Sequence, residues 1–221
     1  MHGMKFPRTY HLPYSPGVSS DDKVHKKPFP TDRFSQYLML EKMDGENTTF
    51  GKDYIHARST LGYPPHWSRS FMKAKWDSVR WNIPPQLSIH GENLAGVHSI
   101  EYENLSDSFL VFGIRDVERN VFLNWDETLL IVDGFDGALL SVPTIGTLLS
   151  EEVNDEKVLM DKFREYQDIV GREVEGFVIR PYDEFRFSEY ADVVGKWVRA
   201  NHVQTDEHWM KSSPRYNAFP R

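Results

Sequence analysis

The chain has 221 residues, 39% hydrophobic and 14% aromatic, with no cysteine and a formal charge of −7. At about 100–200 residues per domain, one packed core is expected. The composition excludes disulfides and cysteine-bound zinc, offers no run of roughly 18 apolar residues for a membrane span, and argues against sequence-blind coating of nucleic acid. MHGMKFPRTYHLPYSPG lacks the apolar segment of a secretion signal, so the cytoplasm is the default compartment.

Residues 1–33 hold six Lys/Arg against three Asp, and 196–221 hold five against two acids. Basic ends therefore flank an acidic middle, either as solvated tails or as a local clamp for a phosphate backbone. Residues 1–33 are rich in Pro, His and Lys and have no clean period. They predict an irregular segment packed on the core, with at most one short strand.

RFSQYLMLEKM (33–43) predicts a strand, and MDGEN a hairpin-type turn into a partner strand at 48–59. Residues 68–83, with Phe71, Trp76 and Val79 near helical spacing, predict a helix stopped by Pro84-Pro85. QLSIHGENLAG (86–96) reads as a strand, and SFLVFGIRD (108–116) with NVFLNW (120–125) as a hairpin. TIGTLLSEE and residues 155–171 read as helices, the second closed by Gly171. Residues 173–180 and 191–199 are two more strands. Strands dominate without β-α-β alternation, which predicts an α+β fold with mostly antiparallel sheet.

Taken alone, Lys42 in EKMDGEN is a lysine before a glycine turn, most often structural. It heads an ordered series, however: EKMDGEN (41–47), HARS (56–59), HGENLAG (90–96), FLVFGI (109–114), VEGFVIR (174–180) and GKWVR (195–199). Their order and wording, over roughly residues 36–210, resemble the covalent nucleotidyltransferases, the superfamily of polynucleotide ligases and mRNA capping enzymes. Within that group the chain looks most like the ATP-dependent RNA ligases.

The resemblance implies the nucleotidyltransferase fold, the ATP-grasp-like catalytic core of DNA and RNA ligases, over 34–221. It implies ATP, with AMP carried covalently on a lysine, then passed to an RNA 5′-phosphate and displaced by a 3′-hydroxyl. Magnesium or manganese would assist. A free lysine has a pKa of about 10.4, so the amine must lose its proton, helped by nearby cations or desolvation.

By this resemblance Lys42 is the nucleophile. Asp44 and Gly45 shape the turn presenting it, Asn47 contacts nucleotide or phosphate, and Glu41 contacts the adenine amino group. Arg58 holds a ribose or phosphate, Glu92 accepts the ribose hydroxyls, and Phe112 stacks on adenine. Glu175 organises the metal's waters or the attacking group. Arg180 is a candidate phosphate contact, and Lys196 is the cation on the α-phosphate. Arg199 stands near where many ligases carry a second lysine, but at K-x-x-R spacing.

HVQTDEHW (202–209) reads as a structural or RNA-end segment rather than a metal site, and the tryptophans mostly as core. The 22 residues after Arg199 are too few for an appended C-terminal domain. Grip on RNA ends would then fall to the basic termini, a dimer, or a partner protein that delivers the ends. The competing readings are a DNA ligase, a capping guanylyltransferase, or a nucleotide- or RNA-end-binding module without turnover.

Overall fold

The computed structural model describes residues 4–59, 69–200 and 215–218. In chain order the strands are β1 (Tyr10–His11), β2 (Gln36–Lys42), β3 (Glu46–Phe50), β4 (Ile55–Ala57), β5 (Leu87–Asn93), β6 (Phe109–Asp116), β7 (Val121–Phe122), β8 (Leu140–Ser141), β9 (Thr144–Leu149), β10 (Gly176–Pro181), β11 (Phe185–Arg186) and β12 (Gly195–Val198). The helices are α1 (Arg69–Val79), α2 (Trp125–Asp133), α3 (Glu156–Val170) and the single turn α4 (Tyr190–Val193). β10 pairs antiparallel with β12 and β2, β2 with β9, β3 with β4 and β5, β5 with β6 and β6 with β7, while β1–β12 and β6–β8 are parallel, so the α+β expectation holds.

The backbone gathers into two units. One, the Lys42 unit, comprises residues 7–43 and 142–202. Its sheet runs β1-β12-β10-β2-β9. Tyr37, Leu38, Met39 and Leu40 fill the interior strand β2 and are almost wholly buried. Helix α3 packs on one face through Leu159 and Phe163, with Phe163 against Phe177 and Trp197. Asp155 caps its start by accepting from Lys157 N and Val158 N, and Gly171 ends it at φ 60°.

Register decides what the sheet's other face carries. Side chains alternate along a strand, and directly paired residues share a face. Lys42 pairs with Gly176, which pairs with Val198. Leu40 pairs with Val178, which pairs with Lys196, and Lys196 pairs with His11. Lys42, Lys196 and His11 therefore share one face. Glu41, Phe177 and Trp197 share the α3 face. Gly176 is required between its neighbours, because a Cβ there would lie 1.9 Å from the Trp197 carbonyl oxygen.

The other, the Glu92 unit, comprises residues 1–6, 44–141 and 203–221. Its strands run β7-β6-β5-β3-β4, with β8 beside β6. Phe50, Ile89, Phe109, Val111 and Ile114 form its core with Met72, Trp76 and Val79 of α1 and Val132 of α2. The Phe50 and Phe109 rings stack at 4.1 Å.

Several expectations change, among them 48–59, which is the two strands β3 and β4, and 191–199, which opens in the turn α4 before β12. The hairpin across 44–47 does not form: β2 pairs with β9 and β10, and β3 with β4 and β5. Asp44 Oδ2 instead accepts from Ser99 N, Ser99 Oγ and Ile100 N at 2.6–2.9 Å. Gly45 meanwhile sits so close to the Asn93 carbonyl that a Cβ would lie 2.4 Å from it. The backbone is thus held to residues 93–100, not folded back on β2.

Residues 144–149 are the edge strand β9, not a helix. The β-branched Thr144, Ile145 and Thr147 suit the edge of β2, whose amides need partners. Helix α2 follows β7, where the sequence predicts a strand running to Trp125. Its signal was present, since Asn124 caps it by accepting from Glu127 N at 2.8 Å and acids fill the first turn.

Trp76 and Trp125 are buried and Trp197 packs against Phe163 and Phe177, while Trp81 is exposed. Among the described residues no helix is long and apolar enough to cross a membrane.

Candidate active site

The last residue of β2 carries the amine of interest. Lys42 Nζ lies 2.6 Å from Glu175 Oε1, with the lysine side chain 22% exposed and the glutamate 2%. Glu175 directly precedes β10, whose first residue Gly176 pairs with Lys42. A buried carboxylate thus holds a lysine that still reaches solvent.

Lys196 stands on the same face of β12. Burial pushes its ammonium below the usual lysine range and the Lys42 charge adds to this, against Asp22 and Glu175. Its nearest acid is Asp22, with Oδ1 at 3.7 Å. Asp22 also lies 3.3 Å from Nε2 of the buried His11. Burial, then Lys196, push His11 down to about 4. Asp22 and His11 were not singled out in the sequence, because they lie in its irregular stretch and match no motif.

Other expected residues of this unit are placed differently. Glu41 points to the α3 face. It accepts from Arg172 Nη1 and Nη2, both at 2.7 Å, and from the Tyr166 hydroxyl at 2.5 Å. Its carboxylate is fully engaged away from Lys42. Arg180 is buried, donates to the Pro181 carbonyl and lies over the Phe185 ring. Arg199 pairs with Glu173 at 2.5 Å, and its amide donates to the Glu175 carbonyl, linking the end of β12 to the acid.

In the Glu92 unit, Asp44 and Gly45 are the anchored turn described above. Asn47 pairs across the ladder with Glu92, so these two half-buried polar residues share a face of β3 and β5. Phe112 sits at the bulge of β6 opposite His90 and Gly91, half-buried, with Phe6 edge-on at 5.5 Å. Arg58 follows β4, its carbonyl accepting from Phe6 N. Glu46, passed over in the sequence, is a carboxyl pushed up to about 7 by burial, against a hydrogen bond from Asn93. The segment 202–209 lies outside the described residues.

Among the described residues no group of three or more His, Asp or Glu side chains is placed to hold a metal ion. A cation held by one hard carboxylate, waters and substrate phosphates is how magnesium is usually bound. Glu175 fits that part and no more.

The RNA ligase family profile matches residues 35–198. The chain belongs to the RNA ligase family. No curated protein matches it in sequence. This RNA ligase family member is similar in fold to an archaeal ATP-dependent RNA ligase, at 19% identity and a TM-score of 0.55, over 90% of this chain and 48% of the other. It is similar to a mutant RNA ligase of Naegleria gruberi, at 17% and 0.50, over 76% and 50%. It is also similar to an Aquifex aeolicus protein assigned as an ATP-dependent DNA ligase, at 20% and 0.51, over 78% and 46%. The chain spans about half the length of these solved structures. The likeness establishes the ligase nucleotidyltransferase fold.

Proposed function

We propose that the protein is an ATP-dependent RNA ligase that carries AMP on Lys42. The observation that carries this reading is the 2.6 Å approach of Lys42 Nζ to the buried Glu175 carboxylate, with Lys196 on the same sheet face. A lysine amine attacks phosphorus only after losing its proton, and the close approach of Glu175 Oε1 supports it as the acceptor. The Lys42 nitrogen then bonds to the α-phosphorus of ATP and the bond to pyrophosphate breaks. Lys196 offsets the charge on the α-phosphate oxygens, while Arg199 is engaged with Glu173 at the strand end.

AMP next moves from Lys42 to the 5′-phosphate of an RNA end. The amine is restored, and a 3′-hydroxyl displaces AMP to close the strand. Glu175 would hold magnesium or manganese through water, and the ion supplies positive charge to the phosphates. Glu92 is assigned to the ribose hydroxyls, Phe112 to adenine, and Asn47 and Arg58 to ribose or phosphate. The shared face of Asn47 and Glu92 supports this. Glu41 and Arg180, already engaged, are left out of the site.

The test is protein incubated with α-labelled ATP and magnesium, then intact-mass and digest mapping. An AMP adduct on Lys42, absent in Lys42→Ala, is expected. No adduct with any of the four nucleotides would sink the reading. An adduct of GMP would redirect it to capping chemistry, and sealing of nicked DNA but not RNA to a DNA ligase.

A further inference from the structure

Residues 11–25 form a strap across the edge of the Lys42 sheet. His11 N donates to Lys23 O, and His25 N returns the bond to His11 O, both at 2.8 Å, closing the strap on itself. It is sewn to β12 by Leu12 N to Lys196 O at 2.7 Å, Gly17 N to Val198 O at 2.9 Å, and Val198 N to Ser15 Oγ at 2.9 Å. His25 Nε2 adds a contact to Val194 O at 2.9 Å.

This framework fixes one carboxylate. Asp22 Oδ2 accepts from Ser19 N at 3.1 Å and Ser19 Oγ at 2.8 Å, and lies 3.3 Å from His11 Nε2. His11 Nδ1 is 2.8 Å from Ser15 Oγ, so both ring nitrogens have a defined neighbour. With Oδ2 occupied, Oδ1 is presented to Lys196 Nζ.

We propose, resting on the Lys42 nucleotidyl-transfer reading, that Asp22 is a positioning residue: held by Ser19, it fixes the Lys196 ammonium where the α-phosphate will meet it. A lysine loses rotamer freedom when it is ordered, and an amine already ordered need not be immobilised during reaction. The need is specific here, because Lys196 faces the like charge of Lys42 as well as Glu175, Asp22 and His11. Asp22 opposes the push from Lys42, and its own pKa is held down: burial raises it, but the Ser19 bonds, Lys196 and His11 outweigh that.

The experiment measures the rate of Lys42 labelling against ATP concentration in the full chain. Asp22→Asn is expected to lower the saturating rate about 10-fold with the half-saturating ATP concentration within about threefold, and Asp22→Glu to recover most of it. Ser19→Ala, an exposed and mild change, is expected to show the same split at about threefold. In the free protein, NMR of lysine ammonium groups is expected to show a Lys196 signal protected from exchange, lost in Asp22→Asn while that of Lys42 stays. Labelling of both variants at the wild-type rate, or a Lys196 signal indifferent to Asp22, would overturn the proposal. A wild-type chain that never labels would overturn the underlying reading instead.

Discussion

Glu41 and Lys42 are neighbours in β2, both charged and both ion-paired, yet they serve opposite ends. Glu41 is sealed: its side chain is wholly buried and accepts three hydrogen bonds from Arg172 and Tyr166. Lys42 is poised: its buried partner offers an oxygen at 2.6 Å, and the amine keeps some exposure. A fully satisfied pair supports the link between α3 and the sheet. A pair that one side can leave is the one the proposed chemistry would use. Strand alternation alone separates the two.

The largest expected effect falls on the poised pair. Glu175→Gln should slow Lys42 labelling about 1,000-fold through loss of the proton acceptor, while urea denaturation shows little change. A comparable loss of stability would break the contrast.

On the sealed side, Arg172→Ala leaves a buried carboxylate with Tyr166 alone. It should cost about 3 kcal/mol in urea denaturation, with labelling by the folded fraction within about threefold of wild type.

The next effect is acid sensitivity through His11. Its folded value, about 4, lies below the ordinary 6.5, so the unfolded chain binds the extra proton first. Stability is complete above about pH 6.5 and falls as pH drops towards about 4, by on the order of 3 kcal/mol. Denaturation at pH 7.5, 5.5 and 4.5 should show the slope, and His11→Gln should flatten it.

The smallest effect belongs to the exposed Arg164–Asp161 pair on α3. Arg164→Ala should change stability by less than about 0.5 kcal/mol. A larger change there would mean that burial is not what separates these pairs.

Much of this was legible in the residues. The apolar run 37–40 announced a buried strand, and the rhythm from Val158 to Ile169 with Gly171 announced α3. The order of motifs pointed to the family that the profile match establishes. Glu41, which the resemblance assigns to the adenine amino group, adjoins Lys42 in a strand and so faces the other way, towards Arg172 and Tyr166. Residues 144–149 read as a helix because a short apolar run has no period of its own, and the open edge of β2 decides its conformation. Asp22, His11 and Ser15 left no trace, since a strap without periodicity shows where it lies only through what it touches.

Local order in the chain was enough to determine which segments are extended, where α3 begins and ends, and which lysine precedes the Asp-Gly turn, because propensity, capping and alternation act over a few residues. The tertiary structure alone decided that residue 175 would meet residue 42, that residue 22 would meet residue 196, and that β2 and β3 would join different sheets. Those outcomes depend on strand register between segments far apart in sequence, and a one-residue slip would turn every one of those side chains to the other face.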